Sequence, residues 1–264
     1  MARLGTKSKL SASISPPSAI SKTLAVILND TARQMGILNI FKKQNNSNSP
    51  KTAEQRKKET EKLLKSLDIP YIDHLPLIEE ENEVKIRTAQ EIAERILILV
   101  YLAYVSEVPE EKENVIAFLK ANFLWDNVSP GEEELFQKDE LTDQDAVNIS
   151  WRSEAVWLLL WTIKKVDKLE LPTEQVEISE IVSRLPEFLT DPSEFIKTAI
   201  LRPTTEILDI SDLTYRLHWA TRNADLSKQT MPINLSLSII MERHYAINWV
   251  TYYAEEWDEI TTDT

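Results

Sequence analysis

From about residue 52 onward, apolar side chains return at intervals of three and four, the spacing of one face of an α-helix. The pattern predicts helices near 52–68, 88–107, 111–122, 130–138, 142–166, 177–189, 192–200, 204–226 and 234–256. Polar–apolar alternation of strand length is nearly absent, and Val176–Ile178 is its best instance. Two segments are apolar on every face. In the first, Ile92, Ile96, Leu99 and Ala103 form a stripe while Leu97, Ile98, Val100 and Leu102 fill the other sides. The second runs from Val156 to Trp161. Helices that are apolar all round are buried ones, so both are expected in the core.

Start signals support these boundaries. Thr88 and Glu91 form a capping box, in which hydroxyl and carboxylate each accept from an otherwise unpaired backbone amide. Ser129-Pro130 with Glu132 and Glu133, and Asp191-Pro192 with Glu194, place a capping side chain, a proline at the first helical position and acids in the first turn. Thr142 with Asp145 is a weaker version. Residues 69–87 read as extended and 167–176 as a connection. The expectation is an all-α fold: one mainly helical domain of about eight or nine helices over 52–264, preceded by a flexible leader over 1–51.

Composition narrows the chemistry. The chain has 264 residues, no cysteine and 3 glycines, Gly5, Gly36 and Gly131, where average usage would give roughly eighteen glycines. Phosphate-cradling loops and dinucleotide turns need glycine where backbone approaches a ligand, so none is expected. Thiolate metal sites and cysteine nucleophiles are excluded, and the lack of cysteine fits a cytoplasmic protein. The net charge of −13 hides a split. Residues 1–51 carry 8 basic residues and 1 acid, or +7, so the remainder, with 22 basic and 42 acidic residues, carries −20. So acidic a body disfavours nucleic acid as a partner. Its longest apolar run, Ile96 to Val105, is too short to span a bilayer.

The basic leader has no secretory pattern, although a transit peptide or a translation start at Met35 would fit its composition. Ile37, Leu38, Ile40 and Phe41, beside Lys42 and Lys43, form a small apolar tip able to touch a membrane surface.

The stretch Trp151-Arg-Ser-Glu-Ala-Val-Trp-Leu-Leu-Leu-Trp161 is distinctive, as are Leu201-Arg-Pro203, Asp212 to Arg222, Glu242-Arg-His-Tyr-Ala-Ile-Asn-Trp249 and Trp257 to Thr264. With His74-Leu-Pro76, the acidic run Glu79 to Glu83 and the helix following Arg87, these segments resemble a bacterial domain-of-unknown-function family, number four-two-seven-two. The resemblance covers about 52–264. It implies a mainly helical protein, supplies no activity, and carries over no catalytic residues.

Candidate chemistry gathers in the last third. From residue 199 onward there are four arginines and one lysine, Lys228, against seven and eighteen before. Arginine's planar fork suits carboxylates, phosphates and aromatic faces. Helical steps place Ser211, Thr214, His218 and Arg222 on one line, and Leu208, Asp212, Tyr215 and Trp219 on another. In the last helix Arg243 and His244 interrupt apolar faces, and Glu154 is the nearest candidate acid.

Three readings follow. Arg152, Arg202, Arg216, Arg222 and Arg243 could pair with Glu154, Asp212, Asp258 and Asp263 as a structural network. Alternatively, Arg152, Arg202, Arg216, Arg222 and Arg243 with Tyr215, Trp219 and Trp249 could bind a small anionic ligand. A hydrolase-like enzyme could use His218 or His244 as general base with Glu154. No metal or cofactor motif accompanies them. The function expected from these features is non-catalytic binding, to a protein partner or a small anionic ligand.

Overall fold

The computed structural model describes residues 50–264. The Met35 start and the Ile37, Leu38, Ile40 and Phe41 tip lie outside them. Among the described residues the fold is all-α, without strands. Its helices are α1 (Ala53–Ser66), α2 (Ala89–Glu107), α3 (Lys112–Ala121), α4 (Pro130–Gln137), α5 (Asp143–Trp151), α6 (Ser153–Thr162), α7 (Ile178–Val182), α8 (Ser193–Lys197), α9 (Thr204–Ser227) and α10 (Leu237–Val250). Packing runs α1 on α9, α9 on α10, α10 on α6 and α6 on α2, while α3, α4, α5 and α8 surround α2. The two all-apolar segments are thus central: Ile92, Ile96, Ile98, Leu158, Leu159 and Leu160 are each 0% exposed. The longest apolar helix, α2, is not long and apolar enough to cross a membrane, nor is any other described helix.

Several boundaries differ from the sequence reading, and the helix expected over 234–256 is the shorter Leu237–Val250. The single helix expected over 142–166 is two helices, broken at Arg152 and ended at Thr162. Its first half buries only Ile149, whereas nearly every residue of the second is buried, so the halves lie at different depths. The helix expected over 177–189 covers only α7, which ends at Val182 with Ser183 as its C-cap; further on, Leu189 sits at φ 55 and donates its amide to the Tyr101 hydroxyl at 3.0 Å. Before α8, Pro192 takes the N-cap position while Asp191 Oδ1 accepts from Ser193 N at 2.9 Å. The start signals at Thr88, Ser129 and Thr142 are all complete capping boxes, as is Thr52 with Gln55.

Helix ends show how the fold manages with so little glycine. A helix commonly stops on a left-handed residue, most often glycine, which lets the next amide reach back five residues. Here Asp68, Phe123, Lys164, Lys228 and Tyr252 take that role at φ 52 to 60. The following amides bond to Leu64, Leu119, Leu160, Ala224 and Asn248 carbonyls at 2.8–2.9 Å. A side chain in this conformation costs roughly 1–2 kcal/mol relative to the right-handed region. Phe123 is 81% exposed, so its ring contributes little burial in exchange. Phe123→Gly is therefore expected to raise the unfolding free energy by about 0.5–1 kcal/mol, after allowing for the added freedom of the unfolded chain. Urea denaturation would show it as a higher midpoint; an unchanged or lower midpoint would mean that the ring has a packing role.

Candidate functional site

Helix α10 packs against both α6 and α9, and these three helices carry most of the sequence-selected residues. His218 on α9 and His244 on α10 face each other edge to face, with their Nδ1 atoms 2.9 Å apart. A hydrogen bond between two such nitrogens requires one ring to donate and the other to accept. Both side chains are buried, at 2% and 3% exposure. Burial, reinforced by the Arg222 charge, depresses the His218 pKa to about 4. Burial and the His218 neighbour depress that of His244 to about 3, against an opposing pull from Asp263. Both rings are therefore neutral at neutral pH. The Tyr215 ring lies 5.9 Å from His244 and is half-buried, and Trp219 is also half-buried.

One side of α10 carries a second buried pair. Glu154, 0% exposed, accepts from Arg243 Nε at 2.9 Å, and its other oxygen accepts from the Val176 amide at 2.6 Å. Arg243 also donates to the Glu170 carbonyl at 2.6 Å. One ion pair thus fastens α6, α10 and the 167–176 connection together. On α9, Arg216 makes a fork to Asp212 one turn earlier, with bonds of 2.8 to 3.1 Å. It also donates to the Pro76 carbonyl at 3.2 Å.

The other selected arginines have partners of their own or face solvent. Arg202 donates to the carbonyls of Trp161 and Val166 at 2.6 Å, pairs with Glu206 at 3.0 Å, and lies over the Trp161 ring. Arg152 pairs with Glu132 at 3.3 Å. Arg222 is exposed one turn beyond His218. Trp249 is buried and its ring lies under Arg87, at 4.2 Å. The selected arginines and aromatic rings consequently do not converge on one place. Among the described residues, no group of three or more His, Asp or Glu side chains is placed to hold a metal ion.

The C-terminal tail is pinned through polar contacts that do not use arginine pairs. Asp258 accepts from the Ser129 hydroxyl at 2.8 Å and from the Gly131 amide at 2.7 Å. This places a carboxylate at the positive end of α4. A Cβ at Gly131 would meet Asp258 Oδ2 at 3.1 Å, so the lone glycine of the body admits the tail. Tyr245 donates its hydroxyl to the Trp257 carbonyl, and Asn248 to the Thr261 carbonyl at 2.9 Å. Beside Arg152, burial pushes the Glu242 carboxyl up to about 7, with the Arg152 charge opposing and Glu154 reinforcing the shift.

Sequence reasoning missed several participants. Glu132 is 0% exposed and gathers Arg95 at 2.6 Å, Arg152 and the Ser129 amide. Its capping-box position was visible, but that box gave no reason to expect burial. Arg56, Arg87 and Arg95 are buried as well, at 1%, 7% and 6% exposure. The available signal is the use of arginine at these positions among the many lysines of the first half.

The fold and its centre define a helical domain closed by internal arginine–carboxylate pairs and a buried histidine pair. The chain belongs to the family described as a domain of unknown function, DUF4272, whose family model matches residues 56–260. No curated protein and no solved structure matches the chain significantly.

Proposed function

We propose that this domain is a non-catalytic binding protein whose partner presents a basic face. The supporting observation is the direction in which its charges point. Arg56, Arg87, Arg95, Arg216 and Arg243 are buried. At the surface, 27 exposed Asp and Glu residues outnumber 12 exposed Lys and Arg among the described residues, a balance of −15. A surface of one sign steers an oppositely charged partner and suppresses others. The neutral, buried histidines add support, since neither is placed to take a proton from a substrate at the surface.

The best-suited surface is at α7. Ile178 and Val182, one turn apart, are 57% and 52% exposed, with exposed Glu174, Glu177 and Glu180 beside them in sequence. Apolar anchors inside a charged rim are the usual anatomy of a protein interface. The test immobilises the full chain, captures partners at low salt, and measures the affinity of a captured protein as salt rises. Affinity is expected to fall with salt, and Glu174→Lys, Glu177→Lys and Glu180→Lys together should weaken it about tenfold or more. The melting temperature of that triple variant should stay near wild type. No captured partner, salt-insensitive binding, or equal capture by the triple variant would overturn the reading.

A further inference from the structure

We propose that the junction of the α1 and α9 amino-terminal ends is a binding site for a small oxyanion, occupied in this structure by the domain's own Glu81 carboxylate. The site shares no residue with the α7 surface, and its ligand belongs to a different class from the protein partner considered above. Both helix ends meet one acidic turn. At the start of α1, which has 14 residues, the Ala53 amide donates to Glu80 Oε2 at 2.9 Å. At the start of α9, which has 24 residues, Pro203 is the N-cap residue and no side chain caps the helix. There the Thr205 hydroxyl donates to both oxygens of Glu81, at 2.7 and 2.8 Å. Helix amino termini present unpaired amides and a partial positive charge, which favours anions.

Arg56 supplies the independent observation. It is 1% exposed, and its Nε donates to Asp209 Oδ1 at 3.0 Å. Its Nη1 and Nη2 have no hydrogen-bond partner among the described residues. The nearest carboxylate oxygen paired with Nη2 is Glu81 Oε2 at 3.8 Å, too far for a hydrogen bond. Buried guanidinium N–H groups left without acceptors are costly. Glu81 does not satisfy them, because at 3.8 Å its Oε2 lies beyond hydrogen-bond reach of Nη2 while it accepts from the Thr205 hydroxyl. A tetrahedral oxyanion has more oxygens, and could accept from Arg56, Thr205 and the α9 amides together.

The surrounding charges set the balance. Lys51 adds a positive charge, but it is held by Asp209 at 2.6 Å and by Glu59 at 2.9 Å. Asp209, Glu59, Glu80 and Glu81 oppose an incoming anion. The Glu81 side chain is the one that must leave, and it sits in a surface turn with exposed Asn82 and Glu83. Removing its charge while keeping its shape should therefore strengthen binding, the reverse of what loss of a structural contact would do.

Isothermal titration of the full chain tests this, with sodium phosphate and O-phosphoserine as probes and ionic strength fixed by sodium chloride. Phosphate is expected to bind saturably at one site. Glu81→Gln should tighten it several-fold, and Thr205→Val should weaken it about tenfold. Arg56→Lys should weaken it too; if that variant does not fold, Thr205→Val and Glu81→Gln carry the test. Binding of phosphate alone identifies a site for the free anion, and binding of both probes identifies one open to phosphomonoesters. No saturable binding of either probe by wild type and Glu81→Gln would overturn the proposal. So would wild-type affinity in Thr205→Val.

Discussion

Glu154→Ala is expected to lose about 3–5 kcal/mol of stability, the usual consequence of breaking one side of a buried ion pair. Such a loss is a large part of the roughly 5–15 kcal/mol that holds a domain together. The substitution would leave the Arg243 guanidinium charged in a site only 5% exposed, and the Val176 amide without its acceptor. Burial already lowers the Arg243 pKa, and Glu154 is the group that opposes this effect most strongly. Arg243→Ala should lose a similar amount by stranding the carboxylate instead. The double variant Glu154→Leu with Arg243→Met should be more stable than either single variant, because it leaves no buried charge unpaired. Urea denaturation of the four proteins measures all three effects. Single variants within about 1 kcal/mol of wild type would show that water reaches the pair and screens it.

Much of the fold was legible because helical periodicity and capping are local signals. The all-round apolar character of Ile92 to Leu102 and Val156 to Trp161 identified the two central helices directly. The break at Arg152 was not legible, since arginine is a good helix former and nothing local announces that Asp143–Trp151 and Ser153–Thr162 lie at different depths. Helix ends were hidden for a related reason. Without glycine, the left-handed stops at Asp68, Phe123, Lys164, Lys228 and Tyr252 are made by residues that usually carry no such signal. Arg243 fell among the candidates because its charge interrupts an apolar face, with Glu154 as its candidate acid, and Asp212 with Arg216 because four-residue spacing pairs them on one helix. Arg152 with Glu132 and Arg56 with Asp209 depended on tertiary contacts across long stretches of chain. Nothing local in the acidic run Glu79 to Glu83 announces a partner, yet Glu80 and Glu81 face two helix ends, a placement that only the packing of α1 beside α9 creates.

The histidine pair leads to the second large effect, a loss of stability in acid that begins well above the carboxylate range. An unfolded histidine titrates near pH 6.5, whereas folded His218 and His244 titrate at about 4 and about 3. Above pH 6.5 both states hold neutral rings, and the pair's contribution is present in full. As pH falls through 6.5 the unfolded chain binds two protons that the folded chain refuses, so stability drops until the folded values are reached. Each proton corresponds to about 1.4 kcal/mol per pH unit. Glu242 acts in the opposite direction. Its folded pKa of about 7 lies above its ordinary value of 4.5, so the folded state gains stability between pH 7 and 4.5 by taking a proton first. Over that window these two histidines work against this carboxyl, so the three groups together contribute a net slope near one proton. Glu242→Gln should therefore steepen the loss towards two protons, while His244→Asn should flatten it towards zero. Unfolding free energies at pH 7, 5.5 and 4.5, by urea denaturation, would resolve these slopes. A wild-type profile that is level from pH 7 to 4.5, and unchanged in both variants, would mean that the two rings take up protons while the domain remains folded.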